Sequence, residues 1–266
     1  MESNFNPITG TLPAEVPLPK APLVRVITQV RFPLIVSIEK PDFIAPFQEA
    51  LRGVYPVLRQ ERTKGIVFNV QGIRPATSAV TWRFKDVDAK WQVSLAPDFV
   101  ALETTSYSSR KDFFDRLSVV VNALEKHFEP KVVDRIGVRY IDRLVGPALG
   151  EIQKLIRPHM LGILGTAAAG NVEQMINESI FAAQPTGEMI LLRHGRVPKD
   201  ATVDPAAIDP INEPSWILDI DMFRSGSREF RAQEITDQAR SYAERIYTFF
   251  RWAVSDDFLR HFGGKV

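Results

Sequence analysis

The segment from Val80 to Leu117 constrains the fold most, because two different periodicities follow each other in it. Apolar and polar residues alternate over 80–85 and again over 91–95, which is typical of strands with one buried face. A third strand is expected over 99–107. The alternation places Trp82 and Trp91 on the buried side. This part of the chain therefore predicts an antiparallel meander.

A helix is predicted directly after the meander. Ser109 is followed three residues later by Asp112, a variant of the capping box that begins a helix at its N-terminus. The helix is expected to run from Arg110 to His127. A helix that follows three antiparallel strands can cover their apolar face, which is the arrangement of α+β proteins.

The rest of the chain predicts the same mixture of elements. Strands are expected over 24–38, with an interruption near Pro33, and over 132–144, 172–183, 189–195 and 216–223. Helices are expected from Pro41 to about Tyr55 and from about Phe230 to Val254, with a proline-interrupted connector over 147–162. Leu218 and Ile246 belong to the apolar sides of their elements and are expected to be buried. The predicted fold class is α+β, a mostly antiparallel sheet with helices packed on one side.

The domain organisation follows from the prolines. Residues 1–23 contain five prolines and little periodicity, which predicts an extended arm that is mobile or lies over a neighbouring surface. Residues 24–266 form a single α+β domain in this interpretation. The order helix, strands, helix occurs in both 24–146 and 147–266, so a duplication is an open alternative.

Composition excludes several classes of function. The 266 residues contain 33 Lys and Arg against 32 Asp and Glu, so a net charge of +1 gives no general attraction to nucleic acids or anionic membranes. The chain has no cysteine, which excludes disulfides and thiolate zinc sites. No apolar run reaches the length of a membrane span. We expect a cytoplasmic protein without a cofactor, a bound metal or a membrane partner.

Two carboxylates form one candidate for chemistry. Asp219 and Asp221 alternate with apolar residues over 216–223 and therefore share one strand face. Such a pair could bind magnesium or divide acid and base roles in an enzyme. The alternative is a solvated face, or ion pairs with arginines on a neighbouring strand.

Arginines form a second candidate. Arg135, Arg139 and Arg143 recur on one face of the strand over 132–144, and Arg83 projects from the meander. If the strands are neighbours, they make an arginine stripe that could bind phosphates or nucleic acid. Few aromatic residues interleave with it, so base stacking is not indicated. The stripe could instead neutralise nearby acids.

A third candidate lies near the end of the C-terminal helix. Aromatic rings surround that part of the helix, among them Tyr247, Phe250 and Trp252. A protein partner, a second copy of the chain or the N-terminal arm could cover them, or all of these rings could belong to the internal core. A long irregular loop over 197–214, with four prolines, is either a binding element or a mobile insertion.

The chain resembles a sporadically distributed family of uncharacterised bacterial proteins of about this length. The resemblance covers nearly the whole chain. It is carried by Pro22 and Leu23, Val30 to Pro33, Trp82 to Phe84, Trp91 to Leu95, Phe99 to Thr105, Arg135 to Arg143, Ser215 to Asp219 and Tyr247 to Trp252. It implies a single coherent fold and a patchy distribution compatible with accessory or defence-related genes. It assigns no catalytic residue.

Three classes of function remain open. A non-enzymatic protein-interaction or regulatory module is favoured, because no reaction centre is apparent and because the arm, the loop and the aromatic helix end offer binding surfaces. A nucleic-acid or nucleotide-binding protein would use the arginine stripe. An enzyme would depend on the pair of acids.

Overall fold

The computed structural model describes residues 5–63, 66–69, 72–75, 79–183 and 187–266. The strands are β1 (Leu23–Arg31), β2 (Val57–Thr63), β3 (Ile66–Asn69), β4 (Gly72–Pro75), β5 (Ala79–Lys85), β6 (Trp91–Ala96), β7 (Phe99–Thr104), β8 (Val132–Leu144), β9 (Met175–Ala183), β10 (Glu188–Val197) and β11 (Ser215–Glu229). The helices are α1 (Pro41–Leu51), α2 (Arg110–Phe128), α3 (Gly146–Gly150), α4 (Ile152–Leu155), α5 (Pro158–Leu161), α6 (Ala232–Ala253) and α7 (Asp256–His261).

The predicted fold class is confirmed as α+β with a mostly antiparallel sheet. Nine strands form one sheet in the order β2-β5-β6-β7-β1-β8-β11-β10-β9, and β3 and β4 form a separate two-stranded sheet. The chain divides into two compact units. Unit 1 comprises Met1–Val26, Val138–Arg224 and Ser241–Val266, whereas unit 2 comprises Ile27–Gly137 and Ser225–Arg240. The units therefore differ from the two sequence halves, and the duplication stays a prediction.

Unit 2 contains the predicted meander and its helix. Strands β5, β6 and β7 pair in sequence, and Ser109 caps α2 by accepting a hydrogen bond from the Asp112 amide at 3.1 Å. Trp82 and Trp91 are buried as predicted, with 5% and 6% exposure. The Trp82 indole donates a hydrogen bond to the Ile38 carbonyl at 2.7 Å, so burial leaves this N–H satisfied.

Unit 1 is built around β9, β10 and β11, which pair antiparallel. Leu218 and Ile246 are buried as predicted, at 1% and 2% exposure. Gly195 has a φ of +148° and lies so close to the Met175 carbonyl oxygen that a Cβ atom would collide with it. Glycine is therefore required where the start of β9 meets β10.

Several predicted boundaries were wrong. The first strand ends at Arg31 rather than Ile38, because Pro33 cannot donate to a strand ladder, and a short 3₁₀ helix follows over Val36–Glu39. The strand at 99–107 ends at Thr104. The strand at 216–223 extends to Glu229. Strands β2, β3 and β4 were not predicted, because their sequences are polar or short.

The N-terminal arm lies along the C-terminal part of unit 1. The Tyr247 hydroxyl accepts a hydrogen bond from the Val16 amide at 2.8 Å, and Arg251 donates to the Ala14 carbonyl at 3.1 Å. Arg245 donates to the Gly10 carbonyl at 2.7 Å. The described part of the arm, which begins at residue 5, therefore contacts the C-terminal helix of unit 1, and the first four residues lie outside the described ranges.

Candidate functional site

A buried ionic network occupies the centre of unit 1. Antiparallel pairing places Arg193 of β10 opposite Asp219 of β11, while Glu178 of β9 lies on the other side of Arg193. The Asp219 side chain is only 3% exposed. Opposed residues in a sheet share a face, so the three charged side chains lie in one row. We call these residues, together with Arg139 and Asp204, the Arg139 network.

Arg139 of β8 is the centre of the network. Its Nε and Nη2 atoms each donate to a different oxygen of Asp219, both at 2.7 Å, which is a bidentate pair. Its Nη1 atom donates to Asp204 at 2.8 Å. Burial opposes the charged form, but the hydrogen bond and charge of Asp219 outweigh it and hold the pKa of Arg139 above its ordinary value. The guanidinium is fully engaged with carboxylates of its own chain.

The network anchors the irregular loop over 197–214. Asp204 belongs to this loop, and its bond to Arg139 holds its pKa below the ordinary value although burial alone would raise it. Arg143 donates to the Asp209 carbonyl at 2.7 Å, and the loop residues Ala207 and Ile208 are buried. The loop is therefore a packed part of unit 1, which argues against a mobile insertion.

The two members of the acidic pair, Asp219 and Asp221, have different surroundings. Asp219 forms the predicted ion pair with an arginine of another strand, at 2.7 Å from Arg139 and 3.7 Å from Arg193. Asp221 is half-buried and lies opposite Leu191 of β10. A metal ion at this position would have to displace Arg139 from Asp219. The geometry therefore favours a structural role for Asp219 over magnesium binding or acid–base chemistry.

The arginine stripe is distributed between the two units. In unit 2, Arg83 pairs with Glu61 at 2.5 Å and donates to the Ser94 hydroxyl at 3.0 Å. The Arg135 guanidinium lies over Gly137 of the same strand. In unit 1, Arg139 and Arg143 hold the loop. Carboxylates or carbonyls of the chain thus already accept hydrogen bonds from Arg83, Arg139 and Arg143, which disfavours a phosphate site built from them.

The aromatic residues of the helix end contact their own chain. Phe250 packs edge-on against Phe258 of α7, with 5.5 Å between ring centroids. The Trp252 ring packs against the His159 ring, with 4.0 Å between ring centroids and a tilt of 34°. Tyr247 bonds to the arm, as described above. Each of the three predicted interaction residues is half-buried by contacts within unit 1.

Two titratable groups, Asp142 and His194, are buried, which the sequence did not predict. Asp142 of β8 is 7% exposed, and burial raises the pKa of its carboxyl to about 7, with no opposing hydrogen bond or charge among the described residues. Burial likewise lowers the pKa of His194 to about 4, while a backbone hydrogen bond with Met160 partly opposes the shift. Side chains alternate along β8, so the sequence places Asp142 on the strand face opposite Arg139, away from the arginine stripe.

His159 and His194 are 35 positions apart in the sequence but lie close enough that His159 contributes to the lowered pKa of His194. Within the described ranges, no group of three or more His, Asp or Glu side chains could hold a metal ion. The absence of a resident metal stays a prediction. None of the helices that the structure describes is both long and apolar enough to cross a membrane.

The outer edge of β9 carries two exposed apolar side chains. This strand ends the sheet, and its side chains Ile176 and Ile180 are 38% and 62% exposed. Both point to the same face as Glu178, because side chains alternate along a strand. An edge strand presents unpaired backbone groups that can accept another strand.

Comparison with protein-family models, with curated proteins and with solved structures found no match to this chain.

Proposed function

We propose that this chain is a non-enzymatic protein-interaction module whose binding element is the edge of β9. The observation that carries the proposal is the exposure of Ile176 and Ile180 beside an unextended sheet edge. Addition of a partner strand would satisfy the edge backbone groups and cover the two isoleucines. Backbone hydrogen bonds supply affinity in this binding mode, and alternate side chains supply specificity.

The charged residues that were candidates for chemistry also support this proposal, because they are already paired with each other. Asp219 and Arg139 neutralise each other in a buried pair, and binding a phosphate or substrate there would require breaking it. Truncating one partner of a buried pair costs several kcal/mol because the other charge is left uncompensated. An anion site or an enzyme based on these residues would therefore act against the stability of unit 1.

The experiment compares partner capture by three forms of the tagged protein in lysate of its own host. The forms are the wild type, Ile180→Lys and Val119→Lys, where Val119 is a 46% exposed residue of α2 and serves as the matched control. Lysine is a natural protector of sheet edges, so Ile180→Lys should lose the partner whereas Val119→Lys keeps it.

The alternatives predict different results. A nucleic-acid-binding protein would bind nucleic acid with an affinity that falls by orders of magnitude between low and moderate salt, and Arg83→Gln would weaken that binding. The proposal would be contradicted if Arg83→Gln lost nucleic-acid binding while Ile180→Lys bound nucleic acid as fully as the wild type.

A further inference from the structure

The partner that the β9 edge fits is a second copy of this chain. We infer that two copies pair through their β9 strands, antiparallel, about a two-fold axis at Glu178. This inference rests on the proposed function, because it names the partner of the same edge. Its support comes from the sequence of β9, from its exposure and from a contrast with the other edge of the sheet.

The strand β9 lacks the protection that sheet edges usually carry. Over Met175–Ala183 it has nine residues, with no proline, no lysine, no arginine and a single charge, Glu178. The opposite edge strand, β2, carries Arg59, Glu61 and Arg62 within seven residues. Charged side chains and short strands are the common ways in which proteins prevent edge pairing. Of the two edge strands, β2 thus carries three charged residues and β9 only one.

Symmetry limits the registers in which β9 can pair with itself. A two-fold axis perpendicular to the sheet keeps each face continuous, so even-numbered residues lie opposite even-numbered residues. With the axis at Glu178, Ile176 of one copy lies opposite Ile180 of the other. On the other face Met175 lies opposite Phe181, and Asn177 lies opposite Ser179. Every apolar residue of these pairs thus meets an apolar residue.

Shifts of this register give poorer pairs. With the axis at Ser179, Ile180 would lie opposite Glu178, which places an apolar side chain against a charge. With the axis at Asn177, Ile176 would lie opposite Glu178 with the same result. Apolar and β-branched cross-strand pairs stabilise a sheet, whereas an isoleucine opposite a carboxylate does not.

The cost of the proposed register is that two Glu178 side chains face each other at the axis. Each of them is paired within its own copy, because Glu178 accepts from the Arg193 Nε atom at 2.6 Å. Arg193 itself lies on the same face of β10. The two carboxylates therefore meet with their charges already compensated.

The absence of cysteine from the chain allows a direct test of this register. In Glu178→Cys, the two introduced thiols lie directly opposite each other at the axis, where Cβ atoms of paired residues are within disulfide reach. In Ile176→Cys, the two thiols are about four residues, or roughly 13 Å, apart along the strands and cannot join. Mild oxidation should give a covalent dimer of the Glu178 variant and none of the Ile176 variant.

Sedimentation of the cysteine-free protein provides the second measurement. The wild type should show a concentration-dependent dimer, and Ile180→Lys should raise the dissociation constant by about tenfold or more, since two symmetry-related apolar pairs are lost. Val119→Lys should sediment like the wild type. Circular dichroism confirms that each variant is folded.

The outcomes separate this inference from the proposed function. A wild type that stays monomeric at all concentrations, or a Glu178 variant that forms no covalent dimer, overturns self-pairing. The interaction-module proposal survives that result if Ile180→Lys loses a different partner from the lysate. If Ile180→Lys changes neither sedimentation nor capture, both are wrong.

Discussion

Asp142→Asn should remove a contribution to the stability of the protein that becomes more unfavourable as the pH rises. Burial raises the pKa of Asp142 from its ordinary value of 3.8 to about 7 in the folded state. Between these values the unfolded chain is ionised while the folded chain keeps its proton. The folded state is therefore penalised increasingly as the pH rises from about 4 to about 7, and the full penalty is present above that range.

The size of the penalty follows from the two pKa values. Each pKa unit corresponds to about 1.4 kcal/mol, so the difference between 3.8 and 7 amounts to about 4 kcal/mol. Asparagine has nearly the same shape and no charge, but its buried amide lacks partners and costs about 1–3 kcal/mol at every pH. Asp142→Asn should thus be destabilising by up to about 2 kcal/mol at pH 4 and stabilising by about 1–3 kcal/mol at pH 8.

Urea denaturation followed by tryptophan fluorescence at pH 4, 5.5, 7 and 8 measures the effect. The quantity of interest is the difference in unfolding free energy between variant and wild type, in which all other titrating groups cancel. Asp88→Asn, which removes a carboxylate at an exposed hairpin turn, is the matched control. A difference for Asp142→Asn that stays constant within about 0.5 kcal/mol from pH 4 to pH 8 would refute the reasoning.

Three further predictions concern the buried groups. Arg139→Met should cost about 3–5 kcal/mol, because it removes the two hydrogen bonds that the buried Asp219 accepts and leaves only Arg193 nearby, at 3.7 Å. The double variant Arg139→Met, Asp219→Leu should recover much of this loss. A single variant as stable as the wild type contradicts the network. Trp82→Ala should cost roughly 3–5 kcal/mol in urea denaturation, and a change within about 0.5 kcal/mol would contradict its core position. Burial lowers the pKa of His194 to about 4, so the folded wild type resists protonation of this side chain as the pH falls. Acidification from pH 6.5 to pH 4 should therefore lower the unfolding free energy of the wild type by about 3 kcal/mol more than that of His194→Gln. Equal decreases in the two proteins contradict this prediction.

Local patterns accounted for most of the fold. The meander and α2 were predicted because alternation and the Ser109 cap are properties of neighbouring residues. Strand β8 was predicted with its observed bounds for the same reason. Strand β2 was missed because its charged residues give no apolar alternation, and only its pairing with β5 identifies it.

The candidate site was only half predictable. The sequence indicated Arg139 and Asp219 and included an ion pair between strands among their roles. It could not indicate Asp204, which lies 65 positions from Arg139 in a loop without periodicity. The coverage of Tyr247 by the arm likewise depends on a contact across 231 positions. Long-range contacts of this kind are set by tertiary packing rather than by local pattern.

Arg193 connects the buried network to the proposed self-pairing edge, and this connection makes a last prediction. Arg193 contacts both Glu178 at 2.6 Å and Asp219 at 3.7 Å. In Arg193→Met, the two Glu178 side chains at the axis would repel each other without compensation, because like charges directly opposite in a sheet are destabilising.

Dimerisation of Arg193→Met should therefore be weaker than that of the wild type by about tenfold at low salt. High salt should restore much of the dimer affinity of Arg193→Met by screening the exposed carboxylates. The second substitution Glu178→Gln should restore this affinity at any salt concentration. Sedimentation of the four proteins of this cycle at low and high salt measures the coupling. If Glu178→Gln rescues nothing in the Arg193→Met background, the two carboxylates do not meet, and the axis does not lie at Glu178.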